Sequence, residues 1–132
     1  IPFFGGSPVN VDRNNGDAYG HLSAVDLATG DIRWQYRDPY PMMAGVLSTA
    51  GGLVITGNAT GEILGFDART GDEVWRVQTG SGIRSHPIAY ELDGTVYLAV
   101  GSGGGGVVQG ASGNPPSVPL GSSLLVFALE GS

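Results

Sequence analysis

Apolar positions along the chain come in short runs of about four to seven residues, cut by glycine, aspartate and asparagine, and no stretch has the 3.6-residue period of a helix. Strands are therefore predicted near Leu22 to Asp26, Ile32 to Tyr36, Gly45 to Thr49, Leu53 to Gly57, Ile63 to Asp67, Glu73 to Gln78, His86 to Glu91, Thr95 to Gly101 and Ser123 to Leu129. Two of the breaks, Ala50-Gly51-Gly52 and Leu92-Asp93-Gly94, offer residues that accept positive φ, as a tight hairpin between antiparallel strands requires.

The pattern repeats. Residues 20–34, GHLSAVDLATGDIRW, lie over residues 61–75, GEILGFDARTGDEVW, at an offset of 41, with six of fifteen positions identical. A weaker third copy at residues 123–129 matches Ile63 to Phe66 at an offset of 61. Four antiparallel strands in about 41 residues is the arithmetic of a β-propeller blade. The expected fold is all-β: a β-propeller fragment of about three four-stranded antiparallel blades, with units at about 20–60, 61–100 and 121–130 and a Gly/Pro-rich insertion at 101–120. Within the repeat, Asp26 and Thr29 can hydrogen-bond backbone across the turn, Gly30 can take the left-handed conformation, and Trp34 carries its indole toward the neighbouring unit; Asp67, Thr70, Gly71 and Trp75 repeat the set. These are structural positions.

Composition narrows the function. The 132 residues hold 24 glycines and no cysteine, and 6 basic against 12 acidic residues leave a net charge of −6, which argues against a nucleic-acid partner. No apolar run approaches the roughly 18 residues that span a bilayer. The start at Ile1 suggests a fragment. Gly101-Ser102-Gly103-Gly104-Gly105-Gly106 contains Gly-x-Gly-x-x-Gly, but Gly110, Gly113, Pro115, Pro116 and Pro119 deny it the helix a dinucleotide site needs, so it reads as a long loop between two strands. Asp12 to Asp17 misses the spacing of a calcium loop and reads as a solvated turn. His21 and His86 have no ligand-spaced partner, and Asn58-Ala59-Thr60, formally a glycosylation acceptor, reads as a polar turn.

The pattern Ala24-x-Asp26-x-x-Thr29-Gly30-x-x-x-Trp34, repeated from Gly65 to Trp75, resembles the tryptophan-docking motif of the pyrroloquinoline quinone (PQQ) dehydrogenases, the quinoprotein alcohol dehydrogenases. Residues 47–54, 87–100 and 124–129 resemble segments flanking the last complete motif of that family, so the resemblance covers about Phe3 to Leu129 and implies the C-terminal part of an eight-bladed propeller. It further implies PQQ with a calcium or lanthanide ion, small alcohols oxidised by hydride transfer to the quinone, a cytochrome acceptor and a periplasmic location. The catalytic base and metal ligands would lie in upstream blades, which leaves no catalytic or metal residue here. The fragment alone is expected to be inactive and to self-associate or to depend on those blades. Tryptophans that members place beside PQQ fall here at Met43 and Val107, leaving Met43 and Ala44 as an apolar edge and Gly105, Gly106 and Val107 as backbone donors toward a cofactor carboxylate. The competing reading is a non-enzymatic propeller of PQQ-like repeats that serves as a protein scaffold.

Overall fold

The structure, a computed structural model, describes residues 19–103 and 118–129. All regular structure in these residues is β: β1 (Gly20–Val25), β2 (Ile32–Asp38), β3 (Leu47–Ser48), β4 (Leu53–Gly57), β5 (Glu62–Asp67), β6 (Glu73–Gln78), β7 (Ile88–Leu92), β8 (Thr95–Ser102) and β9 (Ser123–Leu129). Each strand falls where the apolar runs predict one. The strands form three antiparallel sheets in chain order, β1-β2, β3-β4-β5-β6 and β7-β8-β9.

The 41-residue sequence unit is out of phase with these sheets. Its copies begin on β1 and β5; the second starts in the middle of the four-stranded sheet and ends on β8, in the middle of the third. The match extends to an irregularity: the β1/β2 ladder shifts register between Ala24 and Val25, and the β5/β6 ladder shifts between Gly65 and Phe66, one unit later. Each shift falls just before the aspartate turn, where an extra residue sharpens the strand's twist into the bend.

The four-stranded sheet is covered on both faces, which explains why β4 and β5 read as nearly continuous apolar runs. Val54, Leu64 and Phe66 pack toward Leu22, Trp34 and Tyr36 of the first sheet. Ile55 and Ile63 pack instead with Leu98, Val100 and Phe127 of the third sheet, around Ile83 from the connecting segment. The hairpin turns are as expected: Gly52 has φ of 80°, and Asp93 and Gly94 have φ of 51° and 78°, the two successive left-handed residues of a type I′ turn.

The docking motif explains how the first two sheets are held together. Asp26 Oδ1 accepts from the backbone N–H groups of Ala28 and Thr29, and Asp67 Oδ1 accepts from those of Arg69 and Thr70. Gly30 and Gly71 close the turns at φ of 79° and 78°. Trp34 lies across the second turn, its indole N–H donating to the Ala68 carbonyl at 2.8 Å and its ring 6.1 Å from that of Phe66. At the second junction Trp75 meets Phe127 edge-on, with ring centroids 5.2 Å apart.

Candidate functional site

Antiparallel pairing sends the connections alternately to two ends of the sheets. One end carries the hairpin and docking turns. The other collects the β2–β3 crossover (residues 39–46), the β4–β5 turn (58–61), the β6–β7 crossover (79–87) and the described ends of the β8–β9 connection (103 and 118–122). Met43 and Ala44 lie at this second end, on the first crossover. Met43 is exposed, whereas Ala44 packs against the core cluster around Ile55. Gly105, Gly106 and Val107 lie outside the described residues.

The crossovers are fastened to one another by backbone bonds. Gly45 N–H donates to the Ser85 carbonyl at 3.2 Å, Ile83 N–H to Asn58 at 3.0 Å and Gly103 N–H to Gly82 at 2.9 Å. A side chain on Gly45 would collide with the His86 imidazole, and one on Gly57 would meet Ile83 at 2.5 Å, so both positions require glycine for close approach.

Two polar clasps join adjacent sheets here. At the first junction Asp38, buried, accepts from Asn58 Nδ2 at 3.0 Å and from the Tyr40 N–H at 2.9 Å. Asn58 is also buried, and its amide is used fully: Nδ2 donates a second time to Glu62 Oε2 at 2.8 Å, while Oδ1 accepts from Thr60 Oγ1 and the Glu62 N–H, both at 2.9 Å. At the second junction Thr79, one sequence unit after Asp38, meets Ser102 at 2.7 Å between hydroxyls, and Ser102 Oγ also donates to the Ser81 carbonyl at 2.9 Å. Neither clasp was visible in the motif; only the 41-residue offset from Asp38 to Thr79 hints at them.

Electrostatics support the clasp and the docking turns. Burial pushes the Glu62 carboxyl up, but hydrogen bonds from Asn58 and Arg76 outweigh it and leave the group below its ordinary value. Arg76 reaches both Glu73, at 2.6 Å, and Glu62, at 2.8 Å, and lowers Glu73 as well. Asp26 is lowered by its Arg33 partner and the turn amides, and Asp67 by the Thr70 and Arg69 amides. All four depressed carboxylates bind protons less readily folded than unfolded, so their stabilisation is complete above the ordinary carboxylate value and is lost as pH falls through the folded ones. Thermal unfolding is therefore expected to move to lower temperature as pH drops below about 4 to 4.5, and Glu62→Gln should flatten that slope. A midpoint unchanged down to about pH 3 would contradict this.

Beside these clasps a cleft of about 330 Å³ opens between the second crossover and the ends of β8 and β9, walled by serine, glycine and Arg84. Among the described residues no group of three His, Cys, Asp or Glu side chains is placed to hold a metal ion. A polar cleft lined by Arg84 and serine hydroxyls, with no acid among its lining residues, fits one carboxylate-bearing edge of a cofactor such as PQQ.

Comparison with known proteins agrees with this architecture. The profile of the PQQ family described as glucose/ethanol/alcohol dehydrogenase, beta-propeller domain, matches residues 7–98. The quinoprotein ethanol dehydrogenase of Pseudomonas aeruginosa is 42% identical over 128 residues, covering 94% of this chain and 20% of the relative. Subunit 1 of the cytochrome c methanol dehydrogenase of Methylorubrum extorquens is 34% identical over 110 residues, covering 79% and 18%. Among solved structures, a europium-containing methanol dehydrogenase superposes with a TM-score of 0.74 at 31% identity, covering 83% of this chain and 23% of that one. The chain thus spans about a fifth of the length of the curated relatives it matches. With the profile match covering most of the chain and the tryptophan docking visible in the fold, the chain belongs to the β-propeller domain family of the PQQ-dependent glucose, ethanol and alcohol dehydrogenases.

Proposed function

We propose that this chain is the C-terminal portion of a PQQ-dependent dehydrogenase that oxidises small alcohols and passes the electrons to a cytochrome. One observation carries the reading: 42% identity to a quinoprotein ethanol dehydrogenase across 94% of the chain. The relatives reported above are dehydrogenases, which favours an enzyme over a scaffold without chemistry. The cytochrome acceptor is supported by the cytochrome c named for the methanol dehydrogenase relative, and a metal ion by the europium named for the solved structure.

PQQ, when bound, supplies the quinone that accepts the hydride. This chain supplies wall and rigidity. Met43 gives an apolar surface against which a planar ring can lie, and the bonded crossovers fix that surface relative to the second and third sheets. The base and the ligands of a calcium or lanthanide ion would come from upstream blades of the parent, and the reading extends to a periplasmic location for it. Uptake of PQQ by the intact parent, with calcium or a lanthanide, followed by alcohol-dependent dye reduction, tests the proposal. No uptake with any such ion would overturn it.

A further inference from the structure

We propose that Arg84, with the hydroxyls of Ser122 and Ser123, forms a carboxylate-binding site in the cleft at the ends of β8 and β9. The cleft has a built wall and free donors. Ser85 Oγ donates to the Gly101 carbonyl at 2.7 Å and accepts from the Gly101 N–H at 3.0 Å, and Ser102 is held by Thr79 and Ser81, so these two hydroxyls shape the wall. Arg84, Ser122 and Ser123 line the same cleft, and their side chains have no hydrogen-bond or ion-pair partner among the described residues. No acidic residue lines it.

A guanidinium flanked by hydroxyls matches a planar, two-oxygen anion, to which arginine binds through parallel N–H donors. One cation on a chain of net charge −6 is too little for a phosphate-rich ligand, which narrows the class to carboxylates. Position gives the site its setting. Arg84 stands four residues before β7, as Met43 stands four residues before β3, one 41-residue unit apart. The Gly45 to Ser85 bond joins the two crossovers directly. A carboxylate held by Arg84 therefore sits on the crossover that is bonded directly to the one carrying Met43. Its source is either a carboxylate of the quinone cofactor or a free organic acid; the first rests on the dehydrogenase reading, the second does not.

The test uses the intact parent, freed of cofactor, as wild type, Arg84→Gln, Arg84→Lys and the double variant Ser122→Ala, Ser123→Ala. PQQ binding is followed by fluorescence quenching, and binding of acetate and succinate by the shift in unfolding temperature, with chloride at equal ionic strength as control. Arg84→Gln is expected to weaken binding of one of these carboxylates about tenfold or more, with Arg84→Lys retaining part of it and the serine variant losing less. Weaker PQQ binding identifies the cofactor as the source. Loss of the acid-dependent shift with PQQ binding unchanged identifies a free acid. If PQQ affinity and acid protection are both the same in Arg84→Gln as in wild type, the site does not exist. A parent that takes up no PQQ defeats the dehydrogenase reading alone, and the acid measurements then decide Arg84.

Discussion

Replacing Gly71 with alanine is expected to destabilise the fold by about 3 to 5 kcal/mol, whereas Gly52→Ala should cost about 1 kcal/mol. Both glycines hold φ near 80°, so the backbone strain on adding a Cβ is shared. Their surroundings differ. A Cβ at Gly52 meets nothing within 4 Å, but one at Gly71 lies 2.6 Å from Trp34 Cγ and 2.7 Å from Cδ2. The indole must move off the turn. It then loses its bond to the Ala68 carbonyl and its packing beside Phe66, the contacts that seat the first sheet on the second. Urea unfolding of the two variants measures the difference, and tryptophan emission should shift to the red in Gly71→Ala. Equal losses in the two variants would show that the turn does not depend on tryptophan docking.

Asn58→Leu is expected to cost about 3 to 5 kcal/mol, although the two side chains have the same number of heavy atoms. The substitution strips the buried Asp38 carboxylate of its amide donor and removes one donor from Glu62. Asp38 keeps the Tyr40 N–H, but removing a donor from a buried carboxylate is costlier than losing a neutral hydrogen bond. Asn58→Asp sets a third carboxylate between Asp38 and Glu62 and should be destabilising at neutral pH, with partial recovery on acidification as the introduced carboxyl takes up a proton. Chemical denaturation at pH 7 and at about pH 5 measures both effects. A loss below about 1 kcal/mol for Asn58→Leu would mean that water replaces the amide and that the clasp contributes little.

The sequence is most informative where local chemistry decides the outcome. Strand positions follow from apolar runs because sheets buried on both faces need them, as β4 and β5 show. The turns at Gly52, Gly71 and Asp93-Gly94 are legible because few residues tolerate positive φ. The long-range role of Trp34 follows from its repetition, since an aromatic at a fixed place in a repeat packs on the next copy. Legibility fails where function depends on which chain segments end together. Asn58 reads as a turn residue, and its partnership with Asp38, twenty residues away, exists only once two sheets are stacked. Arg84 carries no motif; it stands out because folding brings it beside Ser122 and Ser123 with no acid to pair it.

The phase mismatch between repeat and blade has a consequence for how such a ring is assembled and lost. The second copy of the unit opens on β5, yet β5 and β6 complete a sheet begun by β3 and β4 of the copy before it. The second copy therefore cannot fold as a free-standing piece, since it holds two strands of one sheet and two of the next, and Trp34 of the first copy is satisfied by a turn in the second. Severing the ring between copies cuts a sheet through its middle rather than parting two finished sheets. The two half-sheets then expose hydrogen-bonding edges that fit each other better than they fit a stranger. A propeller built this way has no weak seam at its unit boundaries, and a broken one is predisposed to rejoin its own halves.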